Sequence, residues 1–282
     1  MTVIAITGAT GFVGTHLRTA LTAAGHEIRP LSVRKGVSPA DVSGAAAVIH
    51  LAGEPATGRW TDAKRAAILA SRRDGTRAVV DAIGGADEPP GTLLCASAVG
   101  FYGDRGDTVL EEDAPSGDGF LSEVCRAWEA EAARAGEHGV RSASLRFGII
   151  FARDAEAFRR LAQPARLGLG GPMGSGRQWW PWVHIDDVVG IALAALADDR
   201  YTGPVNVTAP APERQRDLAR TLGRVLHRPA FLPAPAFALK IALGGFAAEL
   251  LGSRRAIPAR AQSLGYEFAQ PLLQPALEDL TR

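Results

Sequence analysis

The sequence predicts an α/β protein: a doubly wound parallel sheet followed by a smaller C-terminal α/β lobe. Three observations point there. Short, almost wholly apolar β-rich runs alternate with helix-like stretches through the first half of the chain. A glycine triplet separates the first run from the first helix. After Phe151 that rhythm gives way to a Gly-, Trp- and Pro-rich segment.

Strands are expected at Val3–Thr7, Glu27–Val33, Ala47–Leu51, Thr92–Ser97 and Arg141–Phe147. Helices are expected at Gly11–Ala24, Thr61–Ile83 and Phe120–Ala135. Alternation of this kind implies a parallel sheet wrapped by helices. Uniformly apolar strands fit a sheet covered on both faces. In the third helix Leu121, Val124, Cys125 and Trp128 share one stripe at i, i+3, i+4, i+7.

Beyond Phe151, "RLGLGGPMGSGRQWWPW" reads as a loop or a short irregular strand. A helix in "DDVVGIALAALADD" and a strand in "PVNVT" follow, then helices at Glu213–Leu226 and Ala236–Leu250 and the tail "QPLLQPALEDL". Residues 1–152 are expected to form the nucleotide-binding domain, with 183–208 returning to it, and 153–282 a smaller substrate-side lobe. Ligands of open α/β sheets bind at the carboxyl ends of the strands. A lobe added there roofs the crevice.

The chain has 282 residues, 46% of them hydrophobic and 22% charged, as in an ordinary globular protein. A net charge of +1 offers no field for nucleic acid or a membrane surface. No apolar run approaches the ~18 residues of a membrane span. "TVIAIT" opens directly as a strand, without the basic region of a secretion signal. Two cysteines, Cys95 and Cys125, are too few for a disulfide framework or a Cys-rich zinc site. The expectation is a cytoplasmic protein with a small-molecule substrate.

"ITGATGFVG" links the first strand to the first helix. Gly8 permits the tight turn, Gly11 lets backbone approach a pyrophosphate, and Gly14 lets helix and strand pack closely. Phosphate then sits on the N–H groups of a helix start, at the positive end of its dipole. Thr10, Phe12 and Val13 complete this Rossmann-like loop. NAD-binding folds usually carry an acid after the second strand. Here "LSVRKG" places Ser32, Arg34 and Lys35 there instead. A guanidinium forks onto a phosphate, whereas a carboxylate repels it. NADP(H) is therefore expected over NAD(H); the alternative is a merely solvated basic turn.

These residues, with "VIHLAG" (48–53), "DGTRAVVDAI" (74–83), "CASAVGFYG" (95–103), "LRFGIIF" (145–151) and "WVHIDDVVGIAL" (182–193), resemble the extended (atypical) short-chain dehydrogenase/reductase superfamily. Within it, "GRWTDAKRAAILASR", "FLSEVCRAWE", "GLGGPMGSGRQWWPWVHIDD" and "PAFLPAPAFAL" are similar to the SulA-like, "nucleoside-diphosphate-sugar epimerase" family with its C-terminal domain of unknown function. The resemblance runs the length of the chain. It implies that Leu51, Ala52 and Gly53 pass beneath the cofactor, that Ala96 and Cys125 lie near it, and that Phe147, Gly148 and Ile149 meet the nicotinamide. Arg72 joins the cofactor candidates on the same ground, or is a surface helix charge. Relatives often dimerise through two helices. Here these are Thr61–Ile83 and Phe120–Ala135, which either form a homodimer or are buried within one subunit.

One part of the family pattern is missing. The third helix normally carries Tyr-x-x-x-Lys, whose phenol moves the proton while the lysine lowers its pKa. With Glu129 aligned to the acid that usually follows, those positions hold Leu121 and Cys125. Neither replaces the pair. Ser97, in the position of the family's carbonyl-polarising hydroxyl, and Tyr102, the nearest phenol, become the catalytic candidates; the alternatives are a Ser97 hydroxyl bonded to local backbone and a Tyr102 packed at the strand end. Glu54, Arg177 and Trp179 are candidates for substrate contact, or for loop packing. His184, Asp186 and Asp187 suggest a metal triad at first sight, yet two acids before a helix more often cap N–H groups, so no metal is expected.

The first reading is an NADP(H)-dependent oxidoreductase or epimerase-like enzyme with an altered acid/base set. The second is a non-catalytic NADP(H)-binding redox sensor or scaffold. A dehydratase or isomerase is a weaker third. If the basic turn reads the 2′-phosphate, Arg34→Ala weakens NADPH binding by about tenfold or more and leaves NADH unchanged. Fluorescence titration with both nucleotides checks this, and equal loss for both would sink the 2′-phosphate argument.

Overall fold

The computed structural model describes residues 2–282. Six strands build the central sheet: β1 (Val3–Thr7), β2 (Glu27–Leu31), β3 (Ala47–His50), β4 (Thr92–Ala98), β5 (Arg141–Phe147) and β6 (Gly203–Val207). All neighbours are parallel, in the order β6-β5-β4-β3-β1-β2. The longer helices, with their shorter partners in the small lobe, are α1 (Phe12–Ala23), α2 (Asp62–Gly84), α3 (Phe120–Ala133), α4 (Glu156–Arg166), α5 (Ile185–Ala197), α6 (Gln215–Val225), α7 (Ala236–Leu243), α8 (Phe246–Leu251) and α9 (Leu273–Thr281). Among the described residues no helix is long and apolar enough to cross a membrane.

Side chains alternate across the pleat, so each strand feeds two cores. Ile4, Ile6, Ile49, Leu94, Leu145 and Val205 face α1 and α5 through Leu17, Leu21, Val188 and Ile191. Ala5, Val48, Leu93 and Cys95 face α2 and α3 through Val79, Ile83, Trp128 and Ala132. The first core also takes in Phe158 of α4, Leu218 of α6 and Leu273, Leu277 and Leu280 of α9. One continuous apolar cluster therefore joins the first strand to the last helix.

Several boundaries depart from the sequence reading for visible reasons. The second strand stops at Leu31, and Val33–Lys35 closes a single 3₁₀ turn, which lifts the basic residues out of the sheet. The expected helix at Ala236–Leu250 is broken at Gly244, where φ is +56°. Glu213–Arg214 is a short strand paired with Trp179–Trp180, so its helix starts two residues late. Trp182–His184 runs parallel to Ile149–Phe151, and Trp182 stacks on Phe151 at 6.3 Å. The C-terminal tail, given no element from sequence, contains α9.

The chain leaves β1 towards β2 on one side and returns through β3 on the other. Crossovers diverge at that point and leave a crevice over the carboxyl ends of β1 and β3. Gly8 and Leu51–Ala52 stand there. Gly8 has φ +70°, and a Cβ on it would come within 3.0 Å of the Ala52 amide nitrogen. Because α9 completes the same core as β1, Leu277→Ala should lower the unfolding free energy by about 2–5 kcal/mol within one cooperative urea transition. Two resolved transitions, with only one shifted, would contradict a shared core.

Candidate functional site

The glycine loop is shaped for close approach. A Cβ on Gly14 would lie 2.1 Å from the Gly8 carbonyl oxygen, so helix and loop pack backbone to backbone. The Gly11 amide donates to Gly8 O at 2.9 Å and Thr15 N to Gly11 O at 2.9 Å. Helix α1 starts at Phe12 with no side-chain cap on Gly11 and no acid in its first turn. The N–H groups of Phe12, Val13 and Gly14 precede the first intrahelical bond and are left for an anion. Thr10 is exposed at the mouth. This donor set fits a dinucleotide pyrophosphate.

Register places Leu31 opposite Thr7, so the basic turn after β2 stands beside the glycine loop. Ser32, Arg34 and Lys35 are all exposed there. Arg34 also lies close enough to Glu54 to help hold that carboxyl below its usual range, after the larger effect of Lys64. A 2′-phosphate fits this turn by charge.

The third-strand loop is tied to the first strand. Thr7 Oγ1 accepts from Leu51 N at 3.1 Å and Ala52 N at 3.2 Å, and meets His50 Nδ1 at 2.6 Å. With both lone pairs occupied, the hydroxyl proton points at Nδ1, which fixes the Nε2–H tautomer of His50. Burial, helped by the charge of Arg72, pushes His50 down to about 4.

Arg72 does more than decorate a helix. Its Nη1 donates to Glu54 O at 2.9 Å, its guanidinium lies 4.9 Å from the centre of the Trp128 ring, and a Cβ on Gly53 would approach it at 3.4 Å. It packs beneath the Leu51–Glu54 loop, between Glu54 and Cys125. Glu54 itself is paired with Lys64 at 2.6 Å, so its carboxylate arrives at the crevice already neutralised.

At the carboxyl end of β4, Ser97 Oγ donates to Glu129 Oε1 at 2.6 Å. Arg146 of β5 holds the same carboxylate in a fork, Nε to Oε1 and Nη2 to Oε2, both at 2.8 Å. Arg146 Nη1 donates to Tyr102 Oη at 2.8 Å, and that phenol donates to Asn206 Oδ1 at 2.7 Å. Tyr102 is fully buried, and burial pushes it up to about 12. The sequence reading made Tyr102 the nearest proton donor. In the structure the phenol instead donates to Asn206 and accepts from Arg146, so its hydrogen-bonding roles are taken within the protein.

Leu121 and Cys125 stand where the family pattern puts its Tyr and Lys. Cys125 is buried with its sulfur 3.6 Å from Ala98 O, and burial pushes its thiol up to about 11. Ala96 is buried one residue before Ser97. Phe147 and Ile149 are half-buried and flank Gly148, where a Cβ would lie 2.3 Å from Pro181 O.

Of the substrate-side candidates, Glu54 joins this cluster through Arg72 and Lys64, whereas the bonds of Arg177 and Trp179 go elsewhere. Arg177 is exposed, and its carbonyl accepts from Arg214. The Trp179 indole N–H donates to Asp107 at 2.8 Å, and its ring has Arg214 and Arg255 over it at 4.5 and 4.6 Å. That arrangement is a joint between the loop after Tyr102 and the C-terminal segment. Asp187 accepts from Tyr266 Oη, Ala269 N and Gln270 N, and His184 caps the α5 start by accepting from Asp186 N at 3.3 Å.

Sequence reasoning used Glu129 and Arg146 only as motif landmarks and passed over Asn206. The available signal was Arg146 itself: a cation near the carboxyl end of a strand covered on both faces demands a buried anion.

The model of the NAD dependent epimerase/dehydratase family matches residues 4–207, and that of a domain of unknown function, DUF1731, matches 234–280. "Epimerase family protein SDR39U1 homolog, chloroplastic" of Arabidopsis thaliana is 38% identical, over 97% of this chain and 85% of that protein. Epimerase family protein YfhF of Bacillus subtilis is 36% identical, over 98% of this chain and 97% of that protein. The crystal structure of human epimerase family protein SDR39U1 (isoform 2) with NADPH superposes with TM-score 0.92 at 32% identity, covering 99% of this chain and 98% of that one. MoeE5 in complex with UDP-glucuronic acid and NAD, at 21% identity, TM-score 0.76 and coverage of 98% and 97%, shares the fold.

The buried His50 has a pH consequence. Its folded pKa lies below its unfolded value, so the unfolded chain binds more protons between about pH 6.5 and 4, and stability falls as pH falls through that window. Lowering the pH from 7 to 5 should cost about 2 kcal/mol from this group. Urea unfolding of wild type against His50→Asn checks it; equal slopes in both would remove His50 as the cause.

Proposed function

Because the chain belongs to the NAD-dependent epimerase/dehydratase family, we propose that it is an NADP(H)-dependent oxidoreductase or epimerase-like enzyme acting on a small molecule, with Ser97 and Glu129 in place of the missing Tyr-x-x-x-Lys. One observation carries this reading: the Ser97 hydroxyl, at the carboxyl end of β4, donates at 2.6 Å into a carboxylate that is itself held by Arg146. The exposed Arg34 and Lys35, the open N-terminus of α1 and the NADPH of the human relative's crystal structure support the cofactor assignment.

When bound, NADP(H) supplies or takes up the hydride. The chain does the rest. The glycine loop and Arg34 anchor the two phosphate ends, and Leu51–Gly53, braced by Thr7 and Arg72, floor the crevice. In the oxidising direction Ser97 Oγ takes the proton of a substrate hydroxyl as its own proton passes to Glu129 Oε1. In the reducing direction the same proton returns. Arg146 orients the carboxylate throughout. The two free thiols, both buried, suit a reducing cytoplasmic setting.

A second reading, a non-catalytic NADP(H)-binding sensor, is favoured by the apolar Leu121 and the protonated Cys125. Incubation with NADPH and a panel of aldehydes, ketones and nucleotide sugars separates the cases. Stoichiometric NADPH loss with product marks a reductase, and conversion without net cofactor change marks an epimerase. Ser97→Ala should then lower kcat by about 10²–10⁴-fold with NADPH affinity unchanged. Tight NADPH binding with no conversion of any substrate leaves the sensor.

A further inference from the structure

A cavity of about 200 Å³ opens in the small lobe between α4 and α6. Leu161, Pro164 and Ala165 form one wall, and Leu218, Ala219 and Leu222 the other. The segments 169–173 and 232–234 close its end.

Several polar groups of this wall are paired within the protein. Gly170 O accepts from Leu232 N at 3.1 Å, and Pro164 O accepts from Leu167 N and Leu169 N. The Gln215 side chain accepts from Met173 N at 2.7 Å. Among the described residues the single charge on the wall is Arg160, which is exposed and paired with Glu156 at 2.6 Å. A buried water needs two to four polar partners, and a nucleobase needs facing donors and acceptors. Beside these the lining side chains are mostly apolar, and the Gln215 amide is their one uncharged polar group. A dry apolar cavity of about 150 Å³ takes up benzene.

The lip is apolar too. Leu169 is 56% exposed and Leu232 47%, and both also line the cavity. Phe231, next to Leu232, is 77% exposed. Large apolar side chains clustered at a cavity mouth mark a surface that a ligand covers.

We infer that this cavity binds the hydrocarbon part of a small-molecule ligand, a single ring or a short alkyl chain, whose polar end stays in water beside Arg160. The inference concerns binding alone and stands whether or not Ser97 and Glu129 perform a reaction.

The chain carries its own reporter. It has two methionines, Met1 and Met173, and Met173 lines the cavity. In protein labelled with ¹³C-methyl methionine, benzene and 1-octanol should shift the Met173 methyl signal saturably, and UDP should not. Ala219→Phe fills the cavity and should weaken benzene binding by about tenfold or more while NADPH binding persists. Leu169→Asp, on the exposed lip, should weaken 1-octanol by about fivefold. Absence of a saturable shift up to the solubility limit overturns the inference, as does an unchanged affinity in folded Ala219→Phe. A Met173 shift with UDP overturns it in favour of a nucleotide site. If Ala219→Phe does not fold, unchanged 1-octanol affinity in Leu169→Asp overturns it instead.

Discussion

The bidentate bond between Arg146 and Glu129 is the constraint on which the architecture around the crevice depends. A guanidinium with 3% side-chain exposure is buried beneath α3, and only a carboxylate fixed at the right place makes that tolerable. Glu129 therefore sets where α3 lies on the sheet. The Nη1 of Arg146 donates to Glu112 O and to Tyr102, and the phenol carries the constraint on to Asn206 of β6. Asn206 in turn donates to Leu110 O and Ile257 O. One charge thus fixes a helix, two strands, the loop after β4 and the C-terminal segment in a single arrangement. Ser97 inherits its orientation from that arrangement.

A second knot acts at the other half of the crevice. Thr7 joins β1 to the loop after β3, and the close backbone contact between Gly8 and Ala52 leaves no slack there. Arg72 supports the same loop, with its guanidinium over the Trp128 ring. The floor of the crevice is stiff because hydroxyl, imidazole and guanidinium each have few alternatives to the bonds they make.

The doubly wound sheet, its strand positions and the glycine loop were legible because period and turn chemistry are local properties. Gly8, Gly11 and Gly14 carry their geometric demand in their own missing side chains. The last helix was not legible: "LQPALEDLT" is short, and its stripe is defined by a core assembled from distant segments. The break at Gly244 and the late start of α6 are decided by similar long-range pairing. For the candidate site the failure is more instructive. Tyr102 was chosen for its chemical type and its nearness in sequence to Ser97, yet the direction of its ring is decided by Asn206, over a hundred residues away. Glu129 and Arg146 were visible as letters, but the pairing that gives them meaning lies between two elements.

The sixth strand comes from residues 203–207, and its partner β5 ends at Phe147. During synthesis the dinucleotide half therefore leaves the ribosome with an unpaired parallel edge, and with Arg146 still lacking the phenol–amide chain that Asn206 completes. Open strand edges and half-covered apolar faces are where nascent chains stick to one another. The last helix, α9, closes the core only once residues 273–281 have been made. Closure of the sheet thus waits on residues 203–207, and a truncation before them leaves it open on its β5 side.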